Sequence, residues 1–337
     1  MLALKTIDAH AEGGSLRLAI AGMPAPRGTT MRARTEWMAR HADSLRRALL
    51  LEPRGHRDLT GAMLTEPVTR GSHAGLIFMS STGYPPMSGH GVMAATTIAL
   101  ERGLLVPGGD GLTVTFDTVA GAVTARAAID EVGEVGRVHR VSVPNVPSFV
   151  LHGGVVLPIS GRHVRVDVAF GGAFYAVVDA ESVGVGVEVS HLPALRRLAQ
   201  AIGEGLGAAL SIEHPLDAHH KTVHGALFTG PPHADVAHLR CLSVSAAGEV
   251  GRSPSGTGVC AAMAVLDAMG LFSGSADDQR FVAEGLLGTR MVGGIASRTT
   301  VGDRPAIRPT IDGSAWITGE HTLLVHDTDP LAFGVDL

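Results

Sequence analysis

The chain has 337 residues, of which 45% are hydrophobic and 18% charged, and its formal net charge is −5. This balance supplies core material for two ordinary domains, and with no basic block it argues against a nucleic-acid partner. No run of about 18 apolar residues offers a membrane span.

The opening MLALKTIDAHAEGG lacks the pattern of a secretory signal, and two thiols, Cys241 and Cys260, are too few for a disulfide framework. A cytoplasmic protein with no membrane partner is therefore expected.

In chain order, Gly14–Ala21 reads as the first strand, after Asp8-Ala9-His10 and Gly13-Gly14. Residues 31–51 read as one amphipathic helix through Trp37, Met38, Leu45, Ala48 and Leu49, ended by Pro53-Arg54-Gly55. Gly61–Leu64 and Ala74–Met79 follow as strands. The loop Ser80–Pro86 then leads into Met87-Ser88-Gly89-His90-Gly91-Val92-Met93-Ala94-Ala95, which opens a helix reaching about Arg102. Gly103–Gly111 reads as loop.

Leu112–Phe116, Ala120–Ala127, Val138–Val143 and Val164–Ala169 read as short strands. Phe174–Val178 follows Gly171-Gly172, where a bulge or a close backbone contact is expected. Leu192–Leu206 is helical by spacing, and Ala226–Thr229 and Cys241–Val244 are strands. Pro254-Ser255-Gly256-Thr257-Gly258-Val259-Cys260-Ala261-Ala262 opens another helix, stopping at Gly270. Strand and turn composition fills the remainder, ending in Leu323–His326.

The two helix starts share the wording Ser-Gly-x-Gly-Val-x-Ala-Ala and lie 167 positions apart (255 minus 88). Each sets a hydroxyl and free backbone N–H groups before an apolar helix, an arrangement that suits an anion. Their near-uniform apolarity predicts burial. The duplication points to an α+β fold of two similar halves, each wrapping mostly antiparallel strands around a central helix. Alternative chemistries fit less well. Neither serine has the flanking glycines of a hydrolase elbow. No Gly-Lys-Ser/Thr phosphate loop is present. His214, His219, His220 and His224 lack a partner set with recognised metal spacing, so no metal is expected. Cys260, five residues beyond Ser255, reads as a packed small hydrophobe.

Further wording goes with the motifs: Asp8-Ala9-His10 with Arg17, Glu52-Pro53-Arg54-Gly55-His56, Leu64-Thr65-Glu66-Pro67, Phe170-Gly171-Gly172-Ala173-Phe174-Tyr175-Ala176, Val250-Gly251-Arg252-Ser253-Pro254 and Leu287-Gly288-Thr289-Arg290. On these residues the chain resembles the proline racemase family, which includes 4-hydroxyproline epimerases and trans-3-hydroxy-L-proline dehydratases. The resemblance implies a diaminopimelate-epimerase-like fold, with halves 1–147 and 148–321, the last strand of 322–337 returning to the first half, and an active site between them. It also implies a small amino-acid substrate of the proline or hydroxyproline type, no pyridoxal phosphate or other cofactor, and allows a homodimer.

In that family the two motifs read Met-Cys-Gly-His and Asp-Arg-Ser-Pro-Cys-Gly-Thr-Gly, and the cysteines move the substrate's α-proton. The catalytic positions implied here are Ser88 and Ser255, with Gly89, His90, Gly256, Thr257, Gly258 and Gly251 around the substrate. Two departures stand out. A serine hydroxyl is several pK units less acidic than a thiol, at about 1.4 kcal/mol each, and a helix N-terminus returns only about 0.3–2 kcal/mol. A serine can act as base only if another group takes its proton, for which His90 is the nearby candidate, or if substrate binding desolvates and activates it. The second departure is Gly251, where the family usually has an Asp that pairs with the substrate amine. Dehydration of a trans-3-hydroxyproline asks less of a serine pair than two-base racemisation, and is the preferred expectation. Epimerisation of 4-hydroxyproline or racemisation of proline is the alternative, and a binder of proline-like ligands without turnover is a third.

Overall fold

The computed structural model describes residues 1–107, 112–130, 136–272 and 280–335. The chain forms two compact units, Met1–Val143 with Gly313–Leu337, and Pro144–Asp312. Part of the expected loop Gly103–Gly111 lies outside the described residues.

The first unit contains β1 (Leu2–Ala11), β2 (Gly14–Ala21), β3 (Thr60–Thr65), β4 (Ala74–Met79), β5 (Thr113–Thr118), β6 (Gly121–Asp130), β7 (Arg137–Pro144) and, from the chain's end, β16 (Ala315–Val325). Their order is β16-β1-β2-β3-β4-β5-β6-β7. The pairs β2–β3 and β4–β5 are parallel and the rest antiparallel. The second unit contains β8 (Ser148–Ile159), β9 (Arg162–Phe170), β10 (Phe174–Asp179), β11 (Val223–Gly230), β12 (Leu239–Ser245), β13 (Phe281–Glu284), β14 (Arg290–Val301) and β15 (Arg304–Gly313). These run in chain order around a ring that β15 closes onto β8. Here β10–β11 and β12–β13 are parallel, the positions equivalent to β2–β3 and β4–β5. The repeated wording thus reflects a repeated topology.

One helix runs through the core of each unit, α3 (Gly89–Glu101) in the first and α5 (Gly256–Ala268) in the second. Gly91 through Ala99 of α3 are all buried, against β1, β2, β3, β6 and β16. On α5, Gly258 through Val265 are buried, against β8, β9, β10 and β14. A helix apolar on every side has its lowest free energy when enclosed, each fully buried Val or Ile contributing about 1.5–3 kcal/mol. The amphipathic α4 (Leu192–Ala209) lies on the outer side of its ring instead. It buries Leu195, Ala199, Ile202 and Leu206 against β8, β11 and β12.

Three local expectations need correction. Residues 31–51 form two helices, α1 (Met31–His41) and α2 (Asp43–Leu50), broken at Ala42 with φ −140°. No Gly or Pro marks that break. Its reason is tertiary: Arg46 of α2 pairs with Asp43 (Nε–Oδ1 2.6 Å) and donates from Nη1 to the Ser80 and Ser81 carbonyls at 2.6 Å each. The strand β1 carries no clean alternation because its register shifts at Lys5/Thr6 against β2 and at Asp8/Ala9 against β16. The strand β8, to which the sequence reading assigned no element, is bulged around Gly153-Gly154. Gly154, at φ +65°, donates to Asp167 Oδ1 at 2.7 Å, and the strand continues past the bulge.

Candidate active site

In the first unit the loop Ser80–Pro86, pinned by Arg46, delivers Ser88 to the start of α3. Ser88 caps the helix from an ordinary extended conformation (φ −142°, ψ 114°), and its Oγ accepts from Gly91 N–H at 3.2 Å. A Cβ at Gly91 would stand 2.6 Å from the Phe78 ring and 3.0 Å from Ser88 Oγ. Glycine there lets the helix seat on β4 and leaves the hydroxyl its place. The N–H groups of Gly89 and His90 lie in the first turn, where no carbonyl of the helix can meet them.

His90 is the titratable group beside Ser88. Its Nδ1 lies 3.3 Å from Ser88 Oγ, and its Nε2 lies 3.3 Å from Thr60 Oγ1 on β3. His90 as a residue is partly buried, and the protein packed around its ring governs the ring's hydration. Burial pushes the imidazole down to about 4, with the Ser15 carbonyl opposing as hydrogen-bond acceptor. His90 is therefore neutral at pH 7, with one N–H and one lone pair. That lone pair is the proton acceptor a serine base requires.

The second motif is built differently. Ser255 caps α5 at φ +73°, ψ 101°, a backbone state rare for a residue with a Cβ. Its Oγ accepts from Gly258 N–H at 3.3 Å, and its own N–H donates to the Oγ of buried Ser253 at 3.4 Å. A Cβ at Gly258 would meet Leu227 Cδ1 at 2.8 Å and Ser255 Oγ at 2.9 Å, repeating the role of Gly91. Gly256 and Thr257 supply the first-turn N–H groups. The Thr257 hydroxyl lies 2.7 Å from the Tyr175 hydroxyl, and Ser255 bonds the same phenol. Burial raises the Tyr175 phenol, and those two hydroxyl bonds oppose the shift only in part.

Gly171 packs against the same helix start, where a Cβ would fall 2.1 Å from the Thr257 carbonyl oxygen. This is the close contact expected of the Gly171-Gly172 pair. Gly251 donates its N–H to the Ser243 carbonyl at 2.9 Å. A Cβ at Gly251 would lie only 2.3 Å from Ser243 Oγ, so the hydroxyl of β12 fills the volume a side chain at 251 would need.

Within each unit the residues singled out from sequence come together: Ser88, Gly89 and His90 in one, and Ser255, Gly256, Thr257 and Gly258 in the other, with Gly251 beside Ser243. Thr60, Tyr175, Ser243 and Ser253 were not singled out. Tyr175 and Ser253 stood in the quoted wording but nothing in their neighbours marked a role, and Thr60 and Ser243 reach their motifs from strands β3 and β12. Much of the remaining wording is scaffold. Arg17 grips Asp8 (Nη2–Oδ2 2.7 Å, Nε–Oδ1 3.0 Å) and donates from Nη1 to the Leu49 carbonyl at 2.9 Å. Gly55 makes a turn so tight that a Cβ would lie 2.3 Å from the Leu50 carbonyl oxygen. The histidine segment packs on aromatic rings, His214 and His220 lying 4.6 and 5.1 Å from the Phe170 centroid. Among the described residues no group of His, Cys, Asp and Glu is arranged to hold a metal ion. Cys260 and Cys241 are buried, and burial pushes each thiol up to about 12, as fits a packing role. Among the described residues no helix is long and apolar enough to cross a membrane.

Comparison with known proteins decides the family. The family model described as proline racemase matches residues 6–336. The chain belongs to the proline racemase family. It is 36% identical over 332 residues to a trans-3-hydroxy-L-proline dehydratase of Bacillus thuringiensis subsp. konkukian, covering 98% of this chain and 96% of that protein. It is 34% identical over 334 residues to a proline racemase of Clostridioides difficile, covering 98% and 97%. A hydroxyproline epimerase from Agrobacterium vitis, solved with bound trans-4-hydroxy-L-proline, superposes with TM-score 0.88 at 28% identity, covering 100% of this chain and 95% of that one. The fold is accordingly the diaminopimelate-epimerase-like α+β fold of the proline racemase family, and the chain is an enzyme of that family, whose members include dehydratases, racemases and epimerases.

Proposed function

We propose that this protein is a cofactor-independent enzyme that removes the α-proton of a hydroxyproline, and that its reaction is the dehydration of trans-3-hydroxy-L-proline. The observation that carries this reading is the inequivalence of the two serines. Ser88 Oγ lies 3.3 Å from a neutral imidazole, while the Ser255 hydroxyl bonds the Tyr175 phenol. A two-base racemase needs each group to work in both protonation states. A dehydratase needs one base for the α-proton and a hydrogen-bond donor for the departing hydroxyl.

In this reading the helix starts act on the substrate. The first-turn N–H groups of Gly89, His90, Gly256, Thr257 and Gly258 receive its carboxylate and the enolate-like charge that develops as the proton leaves. Ser88 Oγ takes the α-proton as its own proton passes to His90. A free imidazole held near 4 stores a proton poorly, but a carboxylate arriving nearby raises it again. Proton uptake is thereby tied to substrate occupancy. The C3–O bond breaks, the hydroxyl leaves as water with a proton from the Ser255 side, and the resulting enamine tautomerises to a cyclic imine. Gly251, with Ser243 Oγ where its Cβ would stand, is read as lying beside the substrate at the second helix start.

The matched capping geometry, Ser88 on Gly91 and Ser255 on Gly258, favours a second reading, reversible epimerisation of 4-hydroxyproline or proline. Incubation with the proline and hydroxyproline isomers in D2O separates the two. Dehydration gives the cyclic imine, whereas epimerisation gives inversion with α-deuteration. Ligand binding with neither outcome would refute both and leave a binding protein.

A further inference from the structure

We propose that Asn145 is a positioning residue for the second helix start: its side-chain amide ties the Gly171-Gly172 turn to α5, and so sets where Ser255, Gly256 and Thr257 stand. The inference rests on the reading that this helix start receives the substrate, and it is the same for dehydration and for epimerisation.

Asn145 is the second residue of the second unit, on the segment between β7 and β8. Its backbone is fixed to β15, because its N–H donates to the Pro309 carbonyl at 2.9 Å. Its Nδ2 donates to the Gly171 carbonyl at 2.7 Å. The direction of that bond follows from the partner: a carbonyl only accepts, so the NH2 end of the side chain faces Gly171. The same side chain bonds Cys260, which is fully buried in the second turn of α5. Cys260 thus adds a polar contact to its packing role.

The turn that Asn145 holds presses directly on the helix. A Cβ at Gly171 would stand 2.1 Å from the Thr257 carbonyl oxygen and 2.6 Å from the Ala261 nitrogen. A Cβ at Gly172 would stand 3.1 Å from Thr257 Cγ2 and 3.6 Å from Asn145 Oδ1. Gly172 also adopts φ +108°, a state open to glycine at little cost. Backbone therefore meets backbone with no side chain between, and in a close-packed interior a displaced turn displaces the first turn of α5. That first turn carries the N–H groups of Gly256 and Thr257, whose aim must be right before they can receive a carboxylate. Asn145 thereby acts on the substrate through the turn and the helix, without touching it.

The test is Asn145→Asp, which keeps the shape of the side chain and replaces its donor with a second acceptor. At pH 8 the carboxylate faces the Gly171 carbonyl and repels it; once protonated, the same carboxyl donates again. Its burial and the facing carbonyl both favour the protonated form. Wild type and variant are assayed from pH 8 to pH 5.5 with trans-3-hydroxy-L-proline and with trans-4-hydroxy-L-proline, at a temperature where thermal unfolding shows both fully folded. The variant's kcat/KM should lie roughly 10-fold or more below wild type at pH 8, and the deficit should shrink as the pH falls. Dividing by wild type at each pH removes the titration of other groups, His90 and His224 included. A merely structural role lowers the unfolding temperature but leaves the folded variant as active as wild type, which would overturn the inference. A deficit that does not change with pH would overturn it too. If Asn145→Asp does not fold at pH 8, Asn145→Ala takes its place, since it lacks the donor and adds no charge. A similar deficit then supports the inference and full activity overturns it. A wild type that turns over neither substrate refutes the function proposed above, and hydrogen exchange then tests the contact by itself. The amides of residues 259–262 should exchange roughly 10-fold faster in Asn145→Asp than in wild type at pH 8, and equal exchange overturns the inference.

Discussion

His90 can be tested without any substrate, through the stability of the protein in acid. Its folded-state value of about 4 lies below the ordinary 6.5. Folding therefore favours the neutral ring, and the unfolded chain binds the extra proton between those two values. The contribution is complete above about pH 6.5 and is lost as the pH falls toward 4. That window spans 2.5 pH units (6.5 minus 4), and at about 1.4 kcal/mol each the loss reaches ~3 kcal/mol. His10, His214 and His224 are also held below the ordinary value by burial and add their own acid sensitivity. The informative quantity is therefore a difference. Urea unfolding of wild type and His90→Gln at pH 7, 6, 5 and 4.5 should give curves that converge as the pH falls, wild type losing up to ~3 kcal/mol more than the variant. Curves that stay parallel would refute the claim that His90 is held neutral.

Other outcomes follow from the same contacts. Ser255→Gly removes a Cβ from φ +73° at the expense of a cap, so its stability should equal or exceed wild type by up to about 1 kcal/mol while turnover is lost; Ser88→Gly, at φ −142°, relieves nothing and should lose a few tenths. Gly251→Ala should cost about 1–3 kcal/mol against Ser243 Oγ, and Ser243→Ala in the same chain should restore much of it; a double-mutant cycle with no coupling contradicts that packing. Gly171→Ala, with its Cβ 2.1 Å from the Thr257 carbonyl oxygen, should raise KM and lower kcat together by shifting the start of α5, with thermal unfolding lowered by several degrees.

The central fold was legible in the sequence because the two Ser-Gly-x-Gly starts are local devices. A cap, two glycines and an apolar helix declare themselves within a dozen residues, and their repetition declares the duplication. What stayed hidden depends on contacts between distant strands. The broken helix at Ala42 answers to carbonyls at Ser80 and Ser81, and the bulges of β1 and β8 erase the alternation that would have marked them. The same holds at the site. Ser88, His90 and Ser255 were readable, but Thr60 beside His90 and Tyr175 beside the second motif arrive along strands. The spacing of Ser88 and His90 is readable; the depression of the imidazole is a property of the packing around it.

The most direct measurement is turnover of trans-3-hydroxy-L-proline by wild type, Ser88→Ala and Ser255→Ala, followed by the cyclic imine and by α-deuterium in D2O. The account predicts imine from wild type, neither exchange nor imine from Ser88→Ala, and exchange with little imine from Ser255→Ala. Full activity of either variant, or inversion at the α-carbon in place of imine from wild type, would contradict it.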